Sequence, residues 1–122
     1  MSGRPHKSAA ERADPVSVFA ALGDSTRLAL VGKLSAGTPL SIARLAEGSA
    51  LTRQAVTKHL CVLESAGIVG RKQSGRESLY RLDPASIAAT RAYLDSISRQ
   101  WDAALARLKA LVEKRPDKRE AP

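Results

Sequence analysis

A short run of residues near the middle of the chain carries the side chains best suited to hydrogen bonding with a nucleic acid: Thr52, Arg53, Gln54, Thr57 and Lys58. No acidic residue follows before Glu64, so the run holds nothing that would repel phosphate. Amide, hydroxyl and ammonium groups hydrogen-bond to base edges, whereas a guanidinium also pairs well with phosphate. We therefore expect Gln54, Thr57 and Lys58 to face bases. Arg53 should face the DNA backbone.

The same run opens a predicted helix. Thr52 is placed to cap it, because its hydroxyl can accept from a backbone N–H of the first turn, and Gly67 supplies a glycine stop. Val56, Leu60 and Leu63 follow helical spacing, so one face should enter a core while the polar run points outward. This pattern is typical of the recognition helix of a helix-turn-helix protein.

A shorter helix should precede the recognition helix. Ser41 can cap it, its apolar positions are Ile42, Leu45 and Ala46, and Gly48 ends it. The link that follows is short and contains glycine. A helix of about two turns, a tight turn and a longer helix with a polar start together indicate a helix-turn-helix unit.

Two further helices are predicted upstream. Asp14 and Pro15 begin the first, which ends at Gly23, and either Asp24 or Ser25 caps the second. Arg27, in the first turn of the second helix, is equally compatible with a phosphate contact and with an ordinary surface charge. The second helix should contribute four core residues: Leu28, Leu30, Val31 and Leu34.

A β-hairpin should follow the recognition helix, with strands at residues 68–73 and 77–82 joined at Ser74 and Gly75. Its aromatic and apolar side chains, Tyr80 and Leu82, should face inward. A basic hairpin beside a recognition helix is a wing that reaches phosphates or the minor groove. The side chains near its tip that we expect to contact DNA are Arg71, Lys72, Ser74 and Arg76.

The last predicted helix begins at Asp83 and Pro84 and runs to about Lys114. Its apolar residues recur at spacings of three, four and seven, which is the pattern of a heptad seam. At 1.5 Å per residue the helix would be roughly 45 Å long, more than so small a body can cover. We expect the seam to pair with a second copy of the chain through Leu94, Ile97, Trp101, Leu105 and Leu108.

Composition and charge favour a small helical domain with an anionic partner. The 122 residues carry a formal charge of +8, and aromatic residues make up 3%, so the core must be largely aliphatic. Residues 14–50 balance to zero, whereas residues 53–81 hold six cations against two acids. Composition alone does not separate nucleic acid from a membrane surface, but no apolar run reaches the length of a membrane span. With one cysteine, Cys61, and no secretory leader, a cytoplasmic protein is expected.

The chain should therefore form one domain, at residues 14–114, of a mainly α fold with a small β-hairpin. Residues 1–13 mix glycine, proline, serine and charge and predict a flexible arm, and residues 115–122 predict a flexible tail.

These elements, in this order, resemble the ArsR/SmtB family of bacterial winged helix-turn-helix repressors over residues 16–112. The most specific phrases are ALGDSTRLAL at 21–30, AVTKHLCVLESAGIV at 55–69 and GRESLYRLDP at 75–84. The resemblance implies a homodimer that pairs its first and last helices, with Val16 and Phe19 joining the interface. It also implies repression at a pseudo-palindromic operator in double-stranded DNA, within a bacterial cytoplasm and its nucleoid.

Metal sensing does not follow from the resemblance. Family sensors place paired cysteines on the first helix of the motif, or histidine and carboxylates on the last helix, and this chain has neither arrangement. Its soft ligands are His6, His59 and Cys61 alone, which are too few for a four-coordinate zinc site. No cofactor is expected.

Three alternatives stay open at this point. The fold could be a protein-interaction module, Cys61 could make it a thiol-responsive repressor, and an unidentified small-molecule effector could bind beside Trp101. An enzyme is not expected, because no nucleophile lies near a base and no glycine loop could cradle phosphate. His59 is expected to be a packed or capping residue, and Cys61 a half-buried one.

Overall fold

The structure, a computed structural model, describes residues 14–114, so the predicted arm and tail lie outside the described residues. The described part is mainly helical with a small antiparallel sheet, which confirms the predicted fold class. In chain order its elements are α1 Pro15–Leu22, α2 Ser25–Leu34, β1 Leu40–Ser41, α3 Ile42–Ala46, α4 Arg53–Ser65, β2 Val69–Ser74, β3 Glu77–Leu82 and α5 Pro84–Lys114.

Each of the first four helices begins at a side chain that accepts a hydrogen bond from a backbone N–H three residues later. Asp14 caps α1, Asp24 caps α2, Ser41 caps α3 and Thr52 caps α4, at distances of 3.0 to 3.2 Å. Asp24, and not Ser25, is therefore the cap of α2. These bonds satisfy N–H groups that have no partner within the helix, and they fix where each helix starts.

The sheet has one strand more than predicted. β3 pairs antiparallel with β2 and also with β1, where Leu40 lies opposite Tyr80. The sequence predicted the two strands of the hairpin alone. The predicted wing turn was also wrong by one residue, because Ser74 pairs with Glu77 and the loop is Gly75 and Arg76. Gly75 has a φ of 61°, a conformation that suits glycine.

The core lies under α4. Val56, Leu60 and Leu63 have no solvent exposure, as their spacing predicted, and Tyr80 brings the wing into the same cluster. Leu30 and Leu34 of α2 are buried and Val31 packs against them. Val18, Ala21, Leu45, Ile68 and Val69 complete the cluster.

The prediction that Leu28 is part of the core is wrong, because this side chain is 55% exposed. Leu28 is two residues from Leu30 and six from Leu34, spacings that put it on the other side of α2 from the stripe that these two leucines form. Its exposure follows from the angle between successive residues on a helix.

The last helix, α5, runs over 31 residues as predicted. Residues 84–90 belong to the first compact unit of the chain, and residues 91–114 form a second unit by themselves. In this second unit Trp101 is 67% exposed, and Leu94, Leu105 and Leu108 are exposed as well, with Ile97 half-buried. Among the described residues, no helix combines the length and apolar content that a membrane crossing requires.

Candidate nucleic-acid interface

An open groove of about 750 Å³ lies along the outward face of α4, between the start of α3 and the tip of the wing. Its lining residues come from three separate parts of the sequence. The cap at Thr52 fixes where α4 begins, and the buried stripe of α4 fixes which side of that helix faces out. The groove is lined by Ser41, Ile42, Ala43, Arg53, Gln54, Thr57, Lys58, Arg76, Glu77 and Ser78.

Five of the predicted DNA-contacting residues therefore meet in this groove. Arg53, Gln54 and Lys58 are exposed on α4, and Arg76 approaches from the wing loop. Thr57 is half-buried, and its hydroxyl donates to the carbonyl of Arg53 at 2.8 Å. The Thr57 oxygen keeps lone pairs that can accept from a base, and its methyl group can contact thymine.

Thr52 is exposed but does not line the groove. Its hydroxyl accepts from the N–H of Ala55 at 3.0 Å, so its part in the site is to start the recognition helix, α4. Any contact that it makes with DNA stays a prediction.

The wing cations are divided between two surfaces. Arg76 lines the groove, whereas Arg71, Lys72 and Ser74 line a second depression, of about 410 Å³, whose lining shares no residue with the groove. Arg81 lines this second depression too and was absent from the predicted site. The available signal for it was its positive charge on the predicted second strand of the wing.

The turn between α3 and α4 is held by hydrogen bonds of its own. Gly48 has a φ of 76°, which reverses the chain after α3. The hydroxyl of Ser49 donates to the Ala46 carbonyl at 3.1 Å and accepts from the N–H of Leu51 at 3.2 Å. The connection between α3 and α4 is therefore short, and hydrogen bonds of Ser49 stabilise it.

Lys33 fixes the end of α3 from outside the motif. Its ammonium donates to the carbonyls of Leu45 and Glu47, at 2.9 and 3.1 Å. These carbonyls lie at the carboxyl end of α3, where a positive charge is favourable. Sequence analysis missed this role, because both acceptors are backbone atoms more than ten residues away.

Arg27 is bonded within the fold and is not a free surface charge, while a phosphate contact by it stays a prediction. It is half-buried; its Nε donates to the Ala21 carbonyl at 2.6 Å, and its Nη1 lies 3.3 Å from Nδ1 of His59 on α4. Asp24 completes the group, with Oδ1 4.0 Å from the same His59 nitrogen. His59 is thus a partly buried, bonded residue, in agreement with the expectation for it.

The carboxylate of Asp24 is stabilised in its charged form. The backbone N–H of Arg27 donates to it, and this bond, with the nearby charges of Arg27 and His59, holds the pKa of Asp24 below its ordinary 3.8 although desolvation opposes the shift. We refer to Asp24, Arg27 and His59 as the corner cluster, since they join the α1–α2 corner to α4.

The expectation that Cys61 is half-buried is wrong, because its side chain is exposed. Cys61 follows Thr57 by four residues, so it lies one turn further along the same face of α4. The core stripe of Val56, Leu60 and Leu63 leaves this angle of the helix open to solvent.

Within residues 14–114, no three His, Cys, Asp or Glu side chains come close enough together to hold a metal ion. The two soft ligands in this part of the chain, His59 and Cys61, are two residues apart on α4. Residues at that spacing point in different directions on a helix, so they do not converge on one ion.

Comparison with known proteins places these features in a wider group. A family profile described as a helix-turn-helix domain matches residues 22–70. The HTH-type transcriptional regulator Rv2034 of Mycobacterium tuberculosis is 38% identical over 103 residues, covering 84% of this chain and 92% of that protein.

Solved structures give the same result. An ArsR-like transcriptional regulator from Rhodococcus sp. RHA1 superposes with a TM-score of 0.69 at 37% identity, covering 82% of this chain and 93% of that one. The homodimeric winged helix-turn-helix DNA-binding domain of Mb0332 from Mycobacterium bovis superposes with a TM-score of 0.58 at 22% identity, covering 82% and 92% of the two chains, and so shares the fold.

Proposed function

Because this chain belongs to the ArsR family of winged helix-turn-helix transcriptional regulators, we propose that it is a homodimeric repressor that reads a pseudo-palindromic operator in double-stranded DNA. Each subunit inserts the polar start of α4 into a major groove. Gln54, Thr57 and Lys58 contact base edges there, while Arg53 and Arg76 contact phosphates on either side.

The groove that unites α4 with the wing tip is the observation that carries this proposal. Of its charged side chains, Arg53, Lys58 and Arg76 are cationic and Glu77 alone is acidic. Its polar side chains are of the types that hydrogen-bond to bases, and its cations can bind phosphates of the two DNA strands beside those bases. The second depression adds Arg71, Lys72 and Arg81, which can reach a further phosphate.

Self-association is supported by the exposed apolar residues of the long helix. Several leucines and Trp101 form a row at heptad spacing, and several of these side chains are more than half exposed. Such a row is rare on a surface that has no partner. We propose that this seam pairs with the seam of a second copy. Val16, which is 76% exposed, and Phe19 of α1 contribute to the same interface. Pairing presents two α4 helices, as a palindromic site requires.

Repression follows from occupancy, since a dimer on its operator excludes RNA polymerase from overlapping DNA. We propose that release does not depend on a metal ion, because the soft ligands on α4 point apart. A small-molecule effector beside Trp101 is retained as a proposal. The protein would act in the bacterial cytoplasm, on the nucleoid.

A thiol-responsive repressor is the second candidate, favoured by the exposure of Cys61 on the same face as Thr57. A group added to this sulfur would stand between α4 and the DNA. This proposal differs from the first only in the signal that releases the operator.

The test of the main proposal uses genomic fragments that co-purify with the protein, and compares a bound fragment with a random one at fixed salt. Gln54→Ala combined with Thr57→Ala should reduce the ratio of the two affinities, since each good base contact is worth about 1–3 kcal/mol of discrimination. Arg76→Gln is the matched control. It should weaken binding to both fragments equally and lower the salt dependence by about one ion. A double variant that discriminates as well as the native chain would refute the assignment of α4.

A further inference from the structure

We infer that Gln73 is a positioning residue of the wing, whose side-chain amide holds the loop in the conformation that presents Arg76 to the groove. This inference rests on the proposed DNA-binding function. Gln73 lies near the end of β2, is exposed, and lines the second depression, whereas Arg76 lines the groove. Its effect on DNA binding therefore passes through Arg76.

The amide of Gln73 makes two hydrogen bonds at the tip of the wing. Its Nε2 donates to the carbonyl of Gly75 at 3.1 Å, and its Oε1 accepts from the hydroxyl of Ser78, also at 3.1 Å. Gln73 and Ser78 are directly opposite each other on β2 and β3, so their side chains meet across the hairpin. A carbonyl can only accept, so the amide nitrogen must be the atom that faces Gly75.

The loop itself has the conformation of a type II′ turn. Gly75 has a φ of 61° and Arg76 has no positive φ, which is the pattern of this turn with glycine in the first central position. The other common two-residue turn, type I′, differs by a rotation of the peptide between the two central residues. That rotation would give Arg76 a positive φ, which is unfavourable for any residue with a Cβ atom.

The bond from Gln73 holds the same peptide. The carbonyl of Gly75 belongs to the peptide that joins Gly75 to Arg76, and it lies outside the strand ladder, which ends at Ser74 and Glu77. Rotation of this peptide would turn the carbonyl away from Nε2 and break the bond. The bond therefore opposes the movement that would redirect the side chain of Arg76.

The rest of the sheet does not support the loop. The third strand, β1, pairs with Leu79 and Tyr80 and so stops short of the tip, and β2 is an edge strand. A ribbon of two strands is only marginally stable by itself. Among the described residues, the side-chain hydrogen bonds that span the wing beyond β1 are those of Gln73.

A fixed loop increases affinity because the cation is already in place when DNA arrives. A side chain held near its bound position loses less conformational freedom on binding. Without the bond, only a fraction of the molecules would present Arg76 to the phosphate, and the measured affinity would fall by that fraction. A phosphate contact carries no information about the bases, so the loss should be equal for specific and random DNA.

Gln73→Met is the test variant, because methionine has a similar length and no charge but makes no comparable hydrogen bond. Its affinity for a co-purified fragment should fall about three- to tenfold, the value of one neutral hydrogen bond. The affinity for a random fragment should fall by the same factor. The salt dependence should decrease towards that of Arg76→Gln.

A double-mutant cycle shows whether Gln73 acts through Arg76. In an Arg76→Gln background, Gln73→Met should cause no further loss of affinity. Arg53→Gln is the matched control, since Arg53 lines the same groove but lies on α4, and in that background the full loss should remain. A direct contact of Gln73 with DNA, or a general structural role, would cause the same loss in all three backgrounds.

A second measurement needs no DNA. The backbone N–H of Arg76 should have the NMR order parameter of a rigid backbone, about 0.85, in the native chain and a value below about 0.6 in Gln73→Met. Urea unfolding of both proteins shows that the variant remains folded.

The inference is overturned if Gln73→Met binds like the native chain, if it loses as much affinity in the Arg76→Gln background, or if Arg76 stays rigid in the variant. The proposed function fails separately, and only if the native chain shows no preference for its co-purified fragments.

Discussion

At the scale of single residues, the groups that could be predicted are those whose partners are close in the chain. Asp14, Ser41 and Thr52 cap helices through bonds to N–H groups three residues away, and residue type and order suffice to place them. Arg27 and Lys33 bond to atoms 6 to 32 residues away. Their roles depend on the packing of three helices, which no local pattern of the sequence encodes.

Cys61 offers a direct test of which face of α4 meets DNA. Alkylation with iodoacetate adds a negative charge to the exposed sulfur, whereas iodoacetamide adds a neutral group of nearly the same size. The charged product should bind DNA several-fold more weakly than the neutral one, because it lies beside phosphate. A mobility shift at constant salt measures the difference. Equal binding by the two products would indicate that this turn of α4 lies away from the DNA.

At the scale of elements, the helices could be predicted better than the sheet. The stripe of α4 repeats over several turns, so its buried face was unambiguous. β1 has two residues, too few to show any alternation, and its pairing with β3 is set by the fold alone. The wing loop was misplaced because Ser74 and Gly75 are both common turn residues, and only the strand register decides between them.

The wing loop depends on Gly75. Its φ of 61° lies in the left-handed region, so Gly75→Ala should destabilise the fold by about 1 kcal/mol although there is room for the added methyl group. Urea unfolding at fixed protein concentration measures this change. A variant as stable as the native chain would show that the loop takes up another conformation at little cost.

The same substitution in α2 should have the opposite effect. Gly32 is inside the helix, has no positive φ, and an added methyl group would meet nothing within 4 Å. Gly32→Ala should therefore stabilise the chain by about 0.5–1 kcal/mol, through the greater helix propensity of alanine. Destabilisation would indicate instead that another chain packs closely against this part of α2.

At the scale of the whole molecule, the sequence predicted both the length of α5 and its exposed seam. Both follow from a periodic pattern that continues beyond what one small domain can bury. The division of the wing cations between two surfaces could not be predicted, because it depends on which way each strand residue faces. The meeting of Arg76 with α4 likewise depends on tertiary packing.

If the chain self-associates through α5, a glutamate should have different effects on the oligomeric state at two neighbouring positions of this helix. Leu105→Glu places a charge in the seam, whereas Ala106→Glu places it about a quarter turn away, outside the seam. Sedimentation equilibrium should find the first variant monomeric at concentrations where the second remains a dimer, because burying an unpaired charge is costly. A dimeric Leu105→Glu protein would show that the subunits associate through another surface.

Selection of bound sequences from random DNA tests the paired reading of DNA by two α4 helices most directly. The protein should enrich an inverted repeat whose half-sites are about one helical turn, 10–10.5 base pairs, apart or a multiple of it. Gln54→Ala combined with Thr57→Ala should abolish that enrichment. Recovery of a single unrepeated half-site, or of no preferred sequence at all, would contradict the homodimeric operator-binding repressor proposed for this chain.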